Sequence, residues 1–372
     1  MKIRLVVPDV KACPAGRPGR CRHCGGGILQ RHQCVAKPLK DHQTARVAVV
    51  RYKCASCRRT FRHYPVGVTA RDQSRRTVVL AALLYGLGLS CSAASHFLRA
   101  LGAEIGKTTV WRDAQEAGEA LRRKRPAGRV RVLGADETVF KVKGEEVVVG
   151  FLTDAEAGAF LGIEILLAGD GQAFRGWLEP HVRGFGVEVL VSDDNDSYAV
   201  AADALGLEHQ VCIAHVRKYV RRRAKSLLAQ AAQEWGEEDE KLPTLGEDLA
   251  RVRALLAELP ARGGAEFGEI HRRYLWAAAP RKGEQASAGY RMRMLTLELW
   301  EKWPKLRLFL SRPELGLDGT DNCSERTIGK SKVRYKAMRG YKSRSGMGNG
   351  IALTQWLYSG EGAHDLGQAT AA

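Results

Sequence analysis

The chain has 372 residues, which is more than one ordinary domain and predicts two or three. Hydrophobic residues make up 45% and charged residues 27%, a globular composition that excludes a disordered chain. No apolar run approaches the roughly 18 residues that span a bilayer, and no signal-peptide core follows the first residues. We therefore expect a cytoplasmic protein that neither enters a membrane nor is secreted.

The positive charge is concentrated in the first third of the chain. The net charge is +18, but residues 1–131 hold 27 basic and 7 acidic side chains, a balance of +20. Residues 132–372 hold 32 basic and 34 acidic side chains, a balance of −2. This distribution predicts a polyanion-binding module in front of a nearly neutral body, with nucleic acid as the partner.

Six of the nine cysteines lie in the first 57 residues and include two C-x-x-C pairs. The pairs Cys21/Cys24 and Cys54/Cys57 are separated by 29 residues, which is enough for two or three strands. Two such knuckles supply four thiolates to one tetrahedral zinc, so the spacing predicts a zinc ribbon with one structural Zn²⁺. Two disulfides or unrelated thiols are the alternative. Other nearby residues offer less specific ligands, namely Cys13, His23, His32 and Cys34.

The segment that follows the ribbon is predicted to form three helices. Gly106 and two threonines mark the turn and start of the third, in the pattern of a helix-turn-helix whose last helix reads the major groove of DNA. A helical linker bundle is the alternative. The side chains predicted to face DNA are Lys107, Thr108, Thr109 and Arg112.

From Val130 the sequence changes to strands, in the order three strands, helix, strand, helix, strand. This order predicts an α/β fold with an RNase-H-like mixed sheet. Residues 215–312 are almost wholly helical in pattern. The predicted domains are a zinc ribbon (1–70), a helix-turn-helix domain (71–126), the first part of the RNase-H-like core (127–215), an α-helical insertion (216–315), the core helix with a catalytic Glu (316–358) and a flexible tail (359–372).

Three carboxylates stand where such a core would hold divalent cations. Asp136 and Asp193 each follow an apolar strand, and Glu325 lies in the first turn of a late helix. Phosphodiester chemistry in this fold uses two cations about 4 Å apart, and Mg²⁺ prefers such oxygen ligands. Any one of these residues alone would be read as a solvated loop residue; the ordered set predicts a metal site. The rivals for the same positions are Glu137, Asp194 and Asp196.

The helix that carries Glu325 is strongly basic. Seven residues at about 100° each bring Lys332 to within roughly 20° of Glu325 on the same face, two turns further on. Eight cations and no carboxylate lie between 326 and 344, which favours a DNA backbone track over a solvated surface. The residues singled out for DNA contact are Arg326, Lys330, Lys332, Lys336 and Arg339.

Together these motifs resemble the DDE transposases of bacterial insertion sequences. Asp136, Asp193 and Glu325 match the family's triad in order and context, and Lys332 matches a basic residue seven places after the Glu. Cys212 and His215 look like a C-x-x-H element of related transposases, for which a structural role is preferred over a metal pair. The 131 residues between Asp193 and Glu325 resemble an insertion domain.

The resemblance implies cleavage at the ends of the element and attack of the freed 3′-hydroxyl on target DNA, with two Mg²⁺ or Mn²⁺ ions per active site. It also implies double-stranded DNA, both transposon ends and target, as partner and a homodimer or higher oligomer in a synaptic complex. Two alternatives stay open: an RNase-H-like nuclease or resolvase without strand transfer, and a non-catalytic DNA-binding regulator. The predicted insertion contains the tryptophans Trp276, Trp300 and Trp303. We expect each of them in the helical core; the alternative is that they stack on an extruded base at a DNA end.

Overall fold

The structure is a computed structural model that describes residues 3–124, 128–167, 169–338, 340–359 and 362–369. Arg339, one of the residues predicted to contact DNA, lies outside this part of the chain. No helix within the described ranges is long and apolar enough to cross a bilayer. The chain divides into two compact units, which are residues 1–126, 139–147 and 327–372 for the first and residues 127–138 and 148–326 for the second.

Strands and helices are numbered in chain order. The strands are β1 (Ile3–Val6), β2 (Leu29–Pro38), β3 (Arg46–Cys54), β4 (Thr60–His63), β5 (Val132–Val142), β6 (Glu145–Asp154), β7 (Ala159–Leu166), β8 (Val189–Ser192), β9 (Glu208–Val211) and β10 (Gly362–Asp365). The helices are α1 (Arg75–Gly86), α2 (Cys91–Ala100), α3 (Lys107–Arg123), α4 (Gly171–Phe185), α5 (Asp196–Leu205), α6 (Ile213–Trp235), α7 (Lys241–Glu258), α8 (Gly263–Arg273), α9 (Ala288–Leu306), α10 (Leu308–Ser311), α11 (Asn322–Ala337), α12 (Arg344–Leu357) and α13 (Leu366–Ala369).

The first unit begins with the ribbon, an antiparallel sheet of order β2-β3-β4. The alternation of apolar and polar residues along β3 buries one face, so that Tyr52 stacks on Phe61 of β4 with ring centroids 6.2 Å apart. The small core beneath the sheet includes Leu29 and two of the cysteines. β2 and β3 are strands of the segment between the two C-x-x-C pairs, where the sequence allows two or three.

The three predicted helices after the ribbon are also confirmed. Ser74 and Ser90 cap α1 and α2 by accepting hydrogen bonds from backbone N–H groups three residues later, and each cap is worth about 1 kcal/mol. The helices share a core of small and branched residues, namely Ala81, Ala94, Leu98, Ala103, Ile105 and Val110.

A buried ion pair fastens the ribbon to α1. The Asp41 carboxylate accepts hydrogen bonds from the Ser74 hydroxyl at 2.6 Å and from the Arg76 guanidinium at 2.7 Å. Burial acts against the charge, but Arg76 and Ser74 outweigh it and lower the pKa of Asp41 to about 2. The ribbon and the three helices are therefore one packed body within this unit.

Helix α12 packs in the first unit, which corrects the assignment of all of 316–358 to the catalytic core. A Cβ on Gly118 of α3 would lie 2.2 Å from the backbone oxygen of Asn349, so only glycine permits this contact. Leu353 and Leu357 of α12 are buried in the cluster that contains Val79 and Leu83 of α1. The close helix contact explains the run of small residues at the start of α12.

The C-terminal segment also differs from the expected flexible tail. β10 pairs in parallel with β1, and Leu366 of α13 is 1% exposed. Burial of this leucine and pairing with the N-terminal strand hold residues 362–369, so the prediction of a flexible tail was wrong for this stretch.

The second unit contains a five-stranded sheet of order β7-β6-β5-β8-β9. β6 and β7 are antiparallel, whereas β8 is parallel to both β5 and β9. If these five strands are numbered 1 to 5 in chain order, they lie across the sheet in the order 3-2-1-4-5. One half of the sheet is antiparallel and the other half is parallel. This is the RNase-H-like topology, and the predicted fold class is confirmed.

Two further layers complete the second unit. Helices α4 and α5 cover the sheet with an apolar cluster that includes Phe174, Trp177 and Tyr198. Helices α6 to α9 form their own core around Val220, Leu249 and Phe267, which confirms the predicted helical character of this stretch. Because the insertion has its own core, it lengthens the chain before α11 without disturbing the sheet.

Candidate active site and metal centres

The register of the parallel strands aligns three of the predicted site residues. Ala135 of β5 lies opposite Ser192 of β8, which lies opposite Val211 of β9. Asp136, Asp193 and Cys212 are each the next residue, so they follow the same row across the sheet. Asp136 is not at a strand end as predicted, because β5 continues to Val142 after its pairing with β8 stops.

Helix α11 brings Glu325 to this row. Gly134 allows a close approach, since a Cβ there would lie 3.0 Å from the Ser324 hydroxyl and 2.3 Å from that of Thr153. The hydroxyls of Thr153 and Ser324 are hydrogen-bonded at 3.1 Å. The backbone N–H of Asp321 also donates to Sγ of Cys212 at 3.4 Å. The first turn of α11 is thus fixed to β5, β6 and the end of β9.

The clustered carboxylates repel one another in a partly dry environment. Burial raises the pKa of Asp136 to about 6, and the charge of Glu137 adds to the shift. Burial likewise raises the pKa of Asp193 to about 7, with further contributions from Glu137 and Asp136. Oδ1 of Asp193 is buried without a hydrogen-bond partner among the described residues. Partly buried carboxylates with raised pKa values and, on Asp193, an oxygen without a described partner fit a site for divalent cations.

The rival acidic residues have other partners. Nζ of Lys302 lies 2.7 Å from Oδ1 of Asp194 and 2.9 Å from Oε1 of Glu298, so Asp194 is already held in an ion pair. Glu137 accepts hydrogen bonds from the Tyr198 hydroxyl and, at 3.2 Å, from the Asn195 amide. The Asp196 side chain is 93% exposed. These contacts favour Asp193 over its neighbours as the second carboxylate of the cluster.

Cys212 and His215 connect the sheet to Glu325. Nε2 of His215 lies 3.5 Å from Oε1 of Glu325, and ligand atoms of all three residues lie within 4.8 Å of one another. A hydrogen bond with Cys212 raises the pKa of His215 to about 9, and the charge of Glu325 adds to this. Although burial opposes it, the hydrogen bond with His215 lowers the pKa of Cys212. The C-x-x-H element therefore supports the position of Glu325.

The carboxyl group of Asp321 is also buried beside the site, which its sequence context does not indicate. This residue directly precedes α11, and its side chain is 1% exposed. Burial raises its pKa well above the ordinary range, despite hydrogen bonding with Ser324, and the charge of Asp136 adds to the shift. An apolar context around Asp321 would have been the signal, but Asn322, Cys323 and Ser324 give none.

The four ribbon cysteines come together as predicted. Sγ of Cys21 lies 3.8 Å from that of Cys57, and Sγ of Cys24 lies 3.6 Å from that of Cys54. All four sulfurs lie within 4.8 Å of one another, which fits one tetrahedral zinc. Cys13 and Cys34 are exposed and lie outside this cluster.

Hydrogen bonding among these thiols prepares one of them for a cation. Backbone N–H donation from Cys57 lowers the pKa of Cys54 to about 6. Donation from Gly26 acts to lower the pKa of Cys24, but hydrogen bonds with the thiols of Cys57 and Cys54 raise it to about 11. The thiolate of Cys54 is thus stabilised, whereas the thiolate of Cys24 is disfavoured. A bound zinc would remove this competition between the two thiolates.

The predicted DNA-binding side chains differ in accessibility. At the start of α3, Lys107, Thr108 and Arg112 are exposed and Thr109 is half-buried. On α11, Arg326, Lys332 and Lys336 are exposed. Lys330 is half-buried and donates to the backbone oxygen of Tyr358 at 3.3 Å.

The structure corrects two further predictions from the sequence, each in part. Arg334, one of the eight cations of the basic stretch, is 3% exposed and stacks on the Tyr85 ring at 3.9 Å, so it belongs to a core. Trp303 is buried as expected, whereas Trp276 and Trp300 are 56% and 41% exposed and correct the expectation of core packing. Both contact other aromatic rings, of Trp235 and His271 respectively.

Comparison with known proteins bears on this site. Residues 173–349 match the model of the Transposase IS66 family. The matched segment contains Asp193, the C-x-x-H element, Glu325 and Lys332, and it confirms the resemblance to transposases. Asp136 lies before it. No curated protein matches the chain.

Solved structures with distant similarity include transposases and integrases. The Drosophila P element transposase strand transfer complex covers 78% of this chain and 80% of that chain, at 13% identity and a TM-score of 0.31. The HTLV-2 integrase catalytic core domain, in complex with magnesium, covers 34% of this chain and 86% of that chain, at 12% identity and a TM-score of 0.20. The fold assignment rests on the strand order and direction given above.

The raised pKa of Asp193 predicts a pH-dependent stability in the absence of metal. The folded chain keeps this proton up to about pH 7, whereas an unfolded Asp loses it near pH 3.9. The folded state binds more protons between these values, so its stability falls as the pH rises through them. Relative to Asp193→Asn, we expect the melting temperature of the wild-type chain, in buffer without Mg²⁺ or Mn²⁺, to fall up to about pH 7 and then level off.

The exposed Asp196 provides a matched control for this measurement. The difference in melting temperature between wild type and Asp196→Asn should not change with pH over the same range. A difference between wild type and Asp193→Asn that is equally independent of pH would contradict a buried, proton-binding Asp193.

The cysteine cluster predicts about one zinc per chain. The metal should be tightly held, because structural zinc contributes about 10–16 kcal/mol to folding. Cys21→Ser or Cys54→Ser should lose this metal, measured by elemental analysis after dialysis. Cys13→Ser and Cys34→Ser, which change exposed thiols outside the cluster, should retain it. A folded wild-type chain without zinc would refute the zinc ribbon.

Proposed function

We propose that the protein is a DDE transposase that binds the ends of its insertion sequence and catalyses metal-dependent DNA cleavage and strand transfer. The observation that carries the proposal is the placement of Asp136 and Asp193 at one row of an RNase-H-like sheet, with Glu325 of α11 close enough to act on the charge of Asp136. Two of these three carboxylates lie in the segment that matches a transposase family. A DNA-binding regulator would not need two partly buried carboxylates with raised pKa values.

The proposed cation ligands are Asp136, Asp193 and Glu325. Their oxygens suit Mg²⁺ or Mn²⁺, and the free Oδ1 of Asp193 leaves one ligand atom unused by the protein. When bound, two such ions would activate the attacking oxygen and stabilise charge on the leaving oxygen. The position of Asp194 in its ion pair with Lys302 makes it a poorer ligand.

The chain's own residues set the geometry for the chemistry. The strand register fixes Asp136 and Asp193 side by side, and the hydrogen bonds of Ser324 and Asp321 fix the first turn of α11. His215 orients Glu325 and supplies positive charge beside it. The reaction proposed at this site is hydrolysis at the element's ends, followed by in-line attack of the freed 3′-hydroxyl on a target phosphodiester.

DNA binding is assigned to the basic first unit and to α11. The exposed residues Lys107, Thr108 and Arg112 on α3 suit contact with DNA, and the ribbon packs against the same three-helix body. On α11, Lys332 would bind backbone phosphate. Because two element ends must be joined in one event, we propose that at least two copies assemble on DNA.

Substitution of a carboxylate should abolish cleavage without abolishing DNA binding. For Asp136→Asn, Asp193→Asn or Glu325→Gln, we expect a cleavage rate more than about 100-fold lower, because even residues that only support metal ligands are worth 10- to 100-fold. The substrate is DNA that flanks the protein's own gene, incubated with Mg²⁺, and cleaved and joined ends are mapped by sequencing.

The exposed Asp196 again provides the control, because Asp196→Asn removes a charge beside the same strand end. Its cleavage rate should stay close to that of wild type. Joined products from wild type support a transposase, whereas cleavage without joining would indicate a nuclease. Full activity of any one of the three carboxylate variants would remove that residue from the site.

Loss of Lys332 should weaken DNA binding in a salt-dependent manner. One phosphate contact contributes about 0.9 to the slope of log K against log salt, so Lys332→Ala should reduce that slope by about one. Lys332→Arg keeps the charge and should retain the slope. An unchanged slope for Lys332→Ala would show that this residue is only a solvated surface cation.

A further inference from the structure

The first helix of the insertion carries a cationic face that starts beside the carboxylate cluster. α6 begins directly after Cys212, and His215 in its first turn lies 3.5 Å from Glu325. From Ile213 to Gln233 the helix has no acidic residue. The cations on this helix therefore lie next to the proposed reaction site, within the same compact unit.

These cations are arranged by helical geometry. At about 100° per residue, Lys218, Arg222 and Lys225 lie within an arc of roughly 60° that adjoins His215. The buried residues of α6, including Val216, Val220 and Ala224, lie on the opposite side. Packing of the insertion core thus forces the three cations outward.

The three cations have no carboxylate partner. Lys218, Arg222 and Lys225 are exposed, and none of them forms an ion pair with a residue that the structure describes. Arg217 on the same helix is different, because its guanidinium donates to the backbone oxygens of Leu256 and Ala257 at 2.8 and 3.2 Å. Arg217 therefore stabilises the fold, whereas the three exposed cations are available to bind a ligand.

We propose that the face formed by Lys218, Arg222 and Lys225, which adjoins His215, binds the DNA backbone as it leaves the active site. The seven-residue step from Lys218 to Lys225 spans about 10 Å of helix, which corresponds to roughly three base-pair steps of about 3.4 Å. A linear row of exposed, unpaired cations fits the phosphates of a DNA strand. This inference rests on the proposed function and adds a third DNA contact, separate from α3 and α11.

The test is the salt dependence of DNA binding by the full chain. We would measure binding to a duplex that covers one boundary of the DNA segment carrying the gene, in Ca²⁺ to prevent cleavage. For the triple variant Lys218→Ala/Arg222→Ala/Lys225→Ala, the slope of log K against log salt should fall by about 2 to 3, from about 0.9 per phosphate contact. A duplex of unrelated sequence should show the same loss, since phosphate contacts carry no sequence information.

The control removes three other exposed, unpaired cations of the second unit. Arg175 lies on α4, Arg272 on α8 and Lys282 between α8 and α9, and the variant Arg175→Ala/Arg272→Ala/Lys282→Ala should retain the wild-type slope. Far-UV circular dichroism and melting temperature would confirm that both triple variants fold. Equal loss of slope in both variants would show a general charge effect and overturn the proposal.

Two further outcomes separate this proposal from the proposed function. If wild type binds and cleaves DNA but the α6 variant keeps its salt slope, the α6 contact is wrong and the transposase assignment stands. If the α6 variant instead changes the oligomeric state in light scattering while the slope stays the same, the face binds protein and the proposal is overturned. Absence of DNA binding and cleavage by wild type would refute the proposed function itself.

Discussion

The candidate site depends on the pairing register of three parallel strands. Because Ala135, Ser192 and Val211 occupy one row, the next residue of each strand follows at the same level of the sheet. A slip of one residue between β5 and β8 would turn one carboxylate towards the opposite face. The register is held by the apolar layer beneath, where Leu133 and Leu190 are fully buried in one cluster. Hydrophobic packing therefore fixes the distance between charged groups that would otherwise repel.

The third carboxylate depends on close packing rather than on chain connectivity. The long separation of Glu325 from Asp193 in sequence matters little, since the insertion has its own core and α11 docks through local contacts. Gly134 removes the side chain that would block this docking, and the Thr153–Ser324 hydrogen bond fixes its direction. A larger residue at 134 would displace the first turn of α11 and, with it, Glu325.

The sequence alone predicted the order of the strands and helices of the core, because periodicity and strand length are local properties. It also grouped the cysteines and the triad, because their spacing and context are specific. It could not place Asp136 within β5, since the continuation of the strand depends on pairing with β6. The choice between Asp193 and Asp194 also needed the structure, because Lys302 lies more than a hundred residues away along the chain. The packing of α12 was missed for the same reason: Gly118 and Asn349 meet only in the fold.

The electrostatics of the cluster distinguish it from the structural ion pairs of the same chain. Asp41 is buried with Arg76, and its pKa falls to about 2, so the pair is complete without a ligand. Asp136 and Asp193 are partly buried beside further carboxylates, and His215 supplies positive charge that lowers both pKa values without restoring them to the ordinary range. The fold thus maintains an excess of negative charge that costs stability.

Such a loss of stability is expected at a site where the binding of a ligand compensates for it. Divalent cations that bind the folded chain and not the unfolded one would stabilise it by mass action, while using the charge for catalysis. An apolar substitution would stabilise the metal-free chain but would leave no ligand for the cations. The neutralised neighbour Asp194 shows that the chain can pair a carboxylate at this strand end when a pair is needed. The Oδ1 of Asp193, which has no partner among the described residues, is therefore consistent with the proposed cation site.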